Sequence, residues 1–190
     1  MAYRRVEIAN ALRRLCQESE RYWNALSPHE FVDPMGTAWS PADHVRHLTK
    51  SIRPVAGAMR MPRVVLRLMF GTTTRPSRGY RELVTTYHEA LRNGGKAGRY
   101  APEPRSEIGD AMEYRRLVLA RHHAVVDALA TEVVNWSHAH IDALRLPHPL
   151  LGRLTVREMA LWSLYHNLHH VLVVARRRGE YFTDETPLNS

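Results

Sequence analysis

Two histidines near the end of the chain have the spacing of a metal-binding pair. His166 and His170 lie four positions apart in residues 165–170, which read YHNLHH. On an α-helix such residues share one face, one turn apart, with about 5–6 Å between their Cβ atoms. This spacing allows two imidazoles to bind one ion through nitrogens about 2.0–2.1 Å from it. The pair therefore predicts a metal site on this helix, with His169 at the edge of the same face.

Histidines elsewhere in the chain are candidates for a third ligand. His44 and His47 occur three positions apart in a second helical segment, and His122 occurs in a third. Position in the apolar pattern favours His44, which is nearer the centre of its helix face, over His47 at the margin. The ordinary alternative is that each histidine is a hydrogen-bonded core residue, because buried polar groups need partners.

Three imidazoles with no thiolate and no fourth protein ligand would leave one coordination position open. An open position is typical of catalytic rather than structural sites. The ion there would lower the pKa of a bound water toward about 7, or activate a bound thiolate. Imidazole binds zinc, nickel, iron and copper, so the sequence does not select the metal. Cys16 is the single cysteine, which excludes a multi-cysteine zinc site and an internal disulfide.

Four helices must position these residues. Apolar residues recur at helical spacing in residues 3–26, 40–59, 109–136 and 155–179. Ser40 and Thr155 have the residue types and spacing of N-caps, and Pro54 is expected to kink the second helix. Because no segment has a strand pattern, the sequence predicts an all-α four-helix bundle.

The connection between the second and third helices is unusually long. Residues 60–107 contain several glycine and proline turn signals and one short helical stretch at residues 81–91. A connection of this length commonly forms a lid or a wall of a site, and its arginines could hold an anionic substrate or thiol cofactor. Residues 146–152 are predicted to form a turn before the fourth helix.

Two motifs resemble a known family. The first is WSP at residues 39–41 followed by His47 and Leu48; the second is residues 146–159 leading into His166 and His170. Together they resemble the DinB/YfiT-like four-helix metalloproteins over nearly the whole chain. The resemblance implies an up-down-down-up helix bundle with one metal ligand on the second helix and two on the fourth. It therefore selects His47, with His44 as the alternative or as a support for a ligand.

The resemblance also suggests an activity. Members of this family include S-transferases that use mycothiol or bacillithiol, maleylpyruvate isomerase and proposed metal-dependent hydrolases. It implies an enzyme that acts on a small molecule with a divalent zinc, nickel or iron ion and, in some members, a low-molecular-weight thiol. The alternative is a non-catalytic bundle that binds a metal or ligand and can form a homodimer.

Length and composition limit the remaining possibilities. The chain has 190 residues, which predicts one domain over residues 1–190, and a formal net charge of +8. Its arginines are scattered rather than clustered, so specific nucleic-acid binding is not expected. No apolar run approaches the ~18 residues of a membrane span, and the first residues lack a signal-peptide pattern. The expected location is the cytoplasm.

Overall fold

The computed structural model describes residues 4–105 and 107–183. Within these residues the chain is mostly helical, with eight α-helices, one 3₁₀ helix and one β-hairpin. The α-helices are α1 (Arg5–Ala25), α2 (Pro28–Val32), α3 (Pro41–Arg60), α4 (Arg63–Phe70), α5 (Tyr80–Arg92), α6 (Ala111–Asn135), α7 (His138–Ala143) and α8 (Val156–Arg178). The 3₁₀ helix is Gly98–Tyr100.

Four of these helices are long and correspond to the four predicted segments. Helices α1, α3, α6 and α8 each have 20 or more residues and begin and end within two residues of the predicted limits. The predicted start of the first helix at Tyr3 lies outside the described residues. Helices α1 and α3 each pack against both α6 and α8. None of the described helices is both long and apolar enough to cross a membrane.

The predicted caps fix where α3 and α8 begin. The Ser40 hydroxyl accepts a hydrogen bond from the Asp43 backbone N–H, and Thr155 accepts one from the Glu158 N–H. The Glu158 carboxylate in turn accepts from the Thr155 N–H, which completes the capping box. Pro54 does not interrupt α3, which is one helix from Pro41 to Arg60.

Helix α8 is buried on nearly all its faces. Residues 156–168 are all buried, although they include several polar side chains. Glu158 pairs with Arg75 and Arg78, and Arg157 pairs with Asp142. These ion pairs anchor the segment before α5 and helix α7 to the first turn of α8. The helix that carries His166 and His170 is therefore the central element of the molecule.

A β-hairpin precedes α8, so the prediction that the chain lacks strands is wrong. Strand β1 (Arg145–His148) pairs antiparallel with β2 (Gly152–Thr155). Pro147 and Pro149 hide the strand pattern, because proline lacks a ladder donor and is typical of turns. In this two-stranded ladder the proline in β1 is tolerated. The predicted turn at residues 146–152 spans the loop of the hairpin and parts of both strands.

The long connection between α3 and α6 packs back onto both α3 and α8. Helix α5 contacts α8, and the 3₁₀ helix contacts α3. The turn after α5 depends on glycine: Gly94 has φ +87°, and a Cβ on Gly95 would lie 2.7 Å from the Ala90 carbonyl oxygen. This turn directs residues 96–105, hereafter the strap, along the outside of α3.

Candidate metal centre

Three histidine side chains from two helices meet in the interior. The Nε2 atom of His166 lies 3.1 Å from Nε2 of His47 and 3.0 Å from Nε2 of His170. All three residues are buried. Candidate ligand atoms of the three residues lie within 4.8 Å of one another, and no other such group of His, Cys, Asp or Glu occurs in the described part of the chain. The structure thus brings together the three residues selected by the resemblance.

The close contacts cannot all be ordinary hydrogen bonds. Nε2 of His166 has one in-plane site, which holds either a proton or a lone pair. It can therefore make a conventional hydrogen bond with only one of its two histidine neighbours. The Nδ1–H of His47 donates to the Tyr100 carbonyl (2.8 Å), which leaves a lone pair on Nε2 of the neutral ring. At least one of the two contacts between Nε2 atoms therefore has no proton between the two nitrogens.

Burial keeps these rings uncharged. It lowers the pKa of His166 and His170 well below the usual histidine value. Electrostatic repulsion from neighbouring histidines lowers the pKa of both residues further. Burial also lowers the pKa of His47, although the hydrogen bond to Tyr100 acts in the opposite direction. A neutral imidazole offers a lone pair, which is the form that binds metal.

The Nδ1 atoms on the opposite side of the rings are held differently. Nδ1 of His47 is fixed by the Tyr100 carbonyl, and Nδ1 of His170 lies 2.7 Å from Nδ1 of His44. Such partners set which nitrogen is free to bind an ion. Nδ1 of His166 is buried without a hydrogen-bond partner among the described residues. Its ring is instead stacked on Trp162, with centroids 4.5 Å apart.

The donor set fits a small divalent ion. Three nitrogens bound tetrahedrally at 2.0–2.1 Å from one ion would lie about 3.3 Å apart. The two Nε2 separations at His166 are 3.1 and 3.0 Å, only slightly shorter. A cation between the rings would use all three lone pairs and remove the conflict among them. The set comprises imidazoles only, so zinc, nickel and iron remain equally compatible.

A cavity of about 340 Å³ opens beside the three histidines. His47, His166 and His170 form part of its wall, so the group borders space that a small molecule can enter. Most of the remaining wall is apolar or aromatic. It is supplied by α3 and the residue two positions before it, by α4, α5 and α8, and by the strap and the hairpin, and it includes Trp39, Val55, Phe70, Tyr87, Leu91, Leu146, Leu150, Met159 and Trp162. The long connection therefore forms a wall of this cavity, as its length predicted.

The other candidate histidines lie outside the group of three. His44 contacts the Nδ1 side of His170, which agrees with a supporting position rather than with a place in the group. His122 is bonded to Asn167 deep between α6 and α8. His169 lines the cavity, and its ring packs against Tyr87 of α5.

Further residues singled out in the sequence have structural partners. Asp43 pairs with Arg46 and Arg105 at the start of α3. Cys16 is buried in the apolar core, which raises the pKa of its thiol to about 12. The Tyr165 hydroxyl bonds His88 on α5, as expected for a residue facing a neighbouring helix.

Trp39 lies in the wall of the candidate site. From its sequence position beside the second helix, this tryptophan is expected to pack against the first helix, and the alternative is a place in a site wall. In the structure its ring lies 5.2 Å from that of His47 and 5.5 Å from that of His44, measured between centroids, and it lines the cavity. The wall position is therefore observed.

Sequence reasoning missed three contributors to the site. Tyr100 acts through its backbone carbonyl, which leaves no signal in the residue type. Trp162 precedes His166 by four positions, so helical spacing alone could have placed it on the same face. His148 was expected at the surface or in a turn, but it is buried and its ring centroid lies 4.3 Å from that of Trp162.

Comparison with known proteins agrees with this geometry. No curated protein and no solved structure matched the chain. The family model described as DinB superfamily matches residues 11–174, which include α3, most of α8 and all three converging histidines. Because the match covers most of the chain, this protein belongs to the DinB superfamily.

Proposed function

We propose that this protein is a divalent-metal-dependent enzyme that acts on a small molecule. His47, His166 and His170 would hold the ion and leave one coordination position open toward the cavity. A bound ion would supply Lewis acidity to a water or thiol in that position. The reaction we propose is thiol-dependent group transfer or hydrolysis, with zinc, nickel or iron as the metal and a low-molecular-weight thiol as a further cofactor of the transfer reaction.

One observation carries this proposal: three neutral imidazoles present Nε2 atoms to one another at the wall of a cavity. A structural metal site normally has four protein ligands and is closed. Here the described part of the chain offers three histidines and no fourth ligand in the group. Access from the cavity therefore favours a catalytic site over a purely structural one.

The protein's own residues have definable tasks in such a reaction. Tyr100 and His44 would orient the rings of His47 and His170 through their Nδ1 atoms. Trp39 and Trp162 cover ligand rings and exclude water from them. The apolar cavity wall would hold the body of the substrate and limit competing reactions with solvent.

The proposal includes the finer architecture suggested by the family. The packing of α1 and α3 against α6 and α8 supports a four-helix bundle of up-down-down-up topology within one domain of residues 1–190. Cytoplasmic location, the absence of a specific nucleic-acid partner and formation of a homodimer stay predictions. Analytical ultracentrifugation checks the last of these, and a sedimentation mass of one chain would contradict it.

Metal analysis tests the ligand assignment. The protein is purified without nickel resin, and bound metals are measured by mass spectrometry. We expect about one divalent ion per chain in the wild type and none in His166→Ala. His169→Ala is the matched control, because it removes the neighbouring imidazole on the same helix and should retain the ion. Stoichiometric metal in His166→Ala would refute the assignment.

Activity is tested on the metal-loaded protein. We expect turnover in a screen of thiol-transfer and hydrolase substrates, and loss of that turnover in His47→Ala. If metal is bound but no turnover occurs with either substrate class, the non-catalytic binding protein becomes the better interpretation. Turnover that survives in His47→Ala would show that the reaction takes place elsewhere.

A further inference from the structure

The charged residues of the cavity wall are all basic. Lys96 and Arg99, both exposed on the strap, line the cavity together with the apolar residues. No Asp or Glu is present among the lining residues, all of which belong to the described part of the chain. The charged groups that face the cavity are therefore two cations and no carboxylate.

These two cations differ from several arginines elsewhere in the molecule that pair with acidic side chains. Arg46, Arg75 and Arg157 each pair with a carboxylate. Neither Lys96 nor Arg99 has an acidic partner among residues 4–105 and 107–183, and Arg99 contacts only the neighbouring Tyr100. Paired arginines have a structural role, whereas unpaired cations beside a cavity are available to a ligand.

The cavity wall also contains two buried donors without acceptors. Nδ1 of His148 accepts hydrogen bonds from the backbone N–H groups of Leu150 and Leu151, so the proton of the neutral ring is on Nε2. That Nε2 and Nε1 of Trp162 are buried, and neither has a hydrogen-bond partner in the described part of the chain. A buried N–H without a partner is costly, so both residues carry an unsatisfied donor behind this part of the wall.

We propose that the cavity binds an organic acid. Its apolar, ring-sized body would fill the space between α5, α8 and the hairpin loop, and its anionic group would be held by Lys96 and Arg99. This inference rests on the proposed function, since it defines the substrate class of the proposed metal enzyme. A carboxylate is the simplest anion of this kind.

The anion site is directly connected to the histidines. Tyr100, next to Arg99, accepts the hydrogen bond from Nδ1–H of His47 (2.8 Å). The strap that presents the cations is therefore the same segment that orients one proposed metal ligand. Binding of an acid at Lys96 and Arg99 would hold the strap in the position that keeps His47 in place.

The test compares a charged probe with a neutral probe of the same shape. Binding of 2-naphthylacetate and of 2-naphthylacetamide is measured by isothermal titration calorimetry on metal-free wild-type protein. Exposed ion pairs are weak, so we expect the acid to bind roughly three- to tenfold more tightly at low salt. One molar sodium chloride should remove most of this difference, because salt screens exposed charges.

Two double variants separate local recognition from overall charge. Lys96→Ala with Arg99→Ala should bind acid and amide equally well. Arg14→Ala with Arg21→Ala removes two exposed positive charges from α1, away from the cavity, and should keep the wild-type preference. Preference that persists without Lys96 and Arg99, or equal binding of both probes to the wild type, would overturn the proposal. Failure of both probes to bind would overturn it as well.

A further arm separates this inference from the metal proposal. In metal-free protein and in His166→Ala, the preference for the acid depends on the strap alone, so it should remain in both. If no metal is bound but the protein still prefers the acid to the amide, the proposed metal centre is wrong and the proposed anion site stands. If metal is bound but the preference is absent, the anion site is wrong and the metal centre stands.

Discussion

His122 and the three converging histidines are both buried on the central helices, yet their surroundings differ. Nε2–H of His122 donates to the Asn167 side-chain oxygen (2.8 Å), and its Nδ1 lies 3.2 Å from the Thr49 hydroxyl. Asn167 also donates to the Ser163 carbonyl. Around His122 the Nε2–H therefore has a full acceptor, although the Thr49 hydroxyl also donates to the Val45 carbonyl (2.9 Å). At His166, by contrast, Nε2 lies next to the Nε2 atoms of two other histidines.

The difference distinguishes a core residue from a binding site. Burial alone does not do so, because both environments exclude water and both lower the histidine pKa. The His122 network satisfies its polar groups within the chain and holds α6 to α8. The group around His166 is left with unmatched lone pairs, which a cation can use. We expect four experiments to test the burial that the two environments share and the difference between them.

Acidification should give the largest effect. Burial lowers the pKa of His122 and of His148 to about 4. In the unfolded chain a histidine has a pKa near 6.5, so between these values the unfolded state binds more protons. The stabilisation is complete above about pH 6.5 and is lost as the pH falls toward 4, by about 3 kcal/mol for each of these two histidines and about 6 kcal/mol for both in the metal-free protein. Urea unfolding between pH 7 and 4 measures this loss, and a flat profile would contradict the buried neutral rings.

Replacing His122 should give the next largest effect. His122→Leu removes the donor to Asn167 and leaves its buried oxygen without a partner. We expect the free energy of unfolding at pH 7 to fall by about 2 kcal/mol. Urea denaturation of metal-free protein measures it. An unchanged free energy would mean that the His122 network is not a structural element.

Replacing His44 should weaken metal binding without abolishing it. His44→Leu removes the partner of Nδ1 of His170, and loss of such a partner typically costs at least about tenfold in affinity. Competition with a chromophoric chelator measures the zinc dissociation constant. His88→Leu is the control, since His88 bonds Tyr165 on the other side of α8. Complete loss of zinc in His44→Leu would make His44 a ligand.

Replacing His166 should have the smallest effect on the stability of the metal-free protein. His166→Leu removes at most one hydrogen bond between histidines, and it also removes the buried Nδ1 that lacks a partner, so the loss is largely offset. We expect the free energy of unfolding to change by less than about 1 kcal/mol in either direction. A loss as large as that of His122→Leu would remove the distinction between the two environments.

Sequence periodicity located the helices and the pair on α8, but it favoured His44, whereas the group in the structure contains His47. Helical spacing gives the face on which a residue lies, whereas the relative rotation of α3 and α8 decides which nitrogen reaches the group. In the structure both residues contact the pair on α8. Nε2 of His47 lies next to Nε2 of His166, and Nδ1 of His44 lies next to Nδ1 of His170. The resemblance to the family motif selected His47, which the spacing alone did not.

The strap and the hairpin were harder to predict for a different reason. Tyr100 contributes a main-chain carbonyl from an irregular segment, and no residue type signals such a role. Pro147 and Pro149 conceal the hairpin that buries His148. The proposed metal ligands thus follow from helix geometry in part, whereas the cavity around them depends on long-range packing of connecting segments.

The strap is attached to α3 mainly through its main chain. Arg46 donates to the Glu103 carbonyl, His47 to that of Tyr100 and Lys50 to that of Ala101. Carbonyls are the same in every residue, so these contacts constrain the length and path of the segment far more than its amino-acid identities. In designed or natural variants, exchange of side chains at positions 100 and 101 should be tolerated, whereas a one-residue deletion would put every carbonyl out of register.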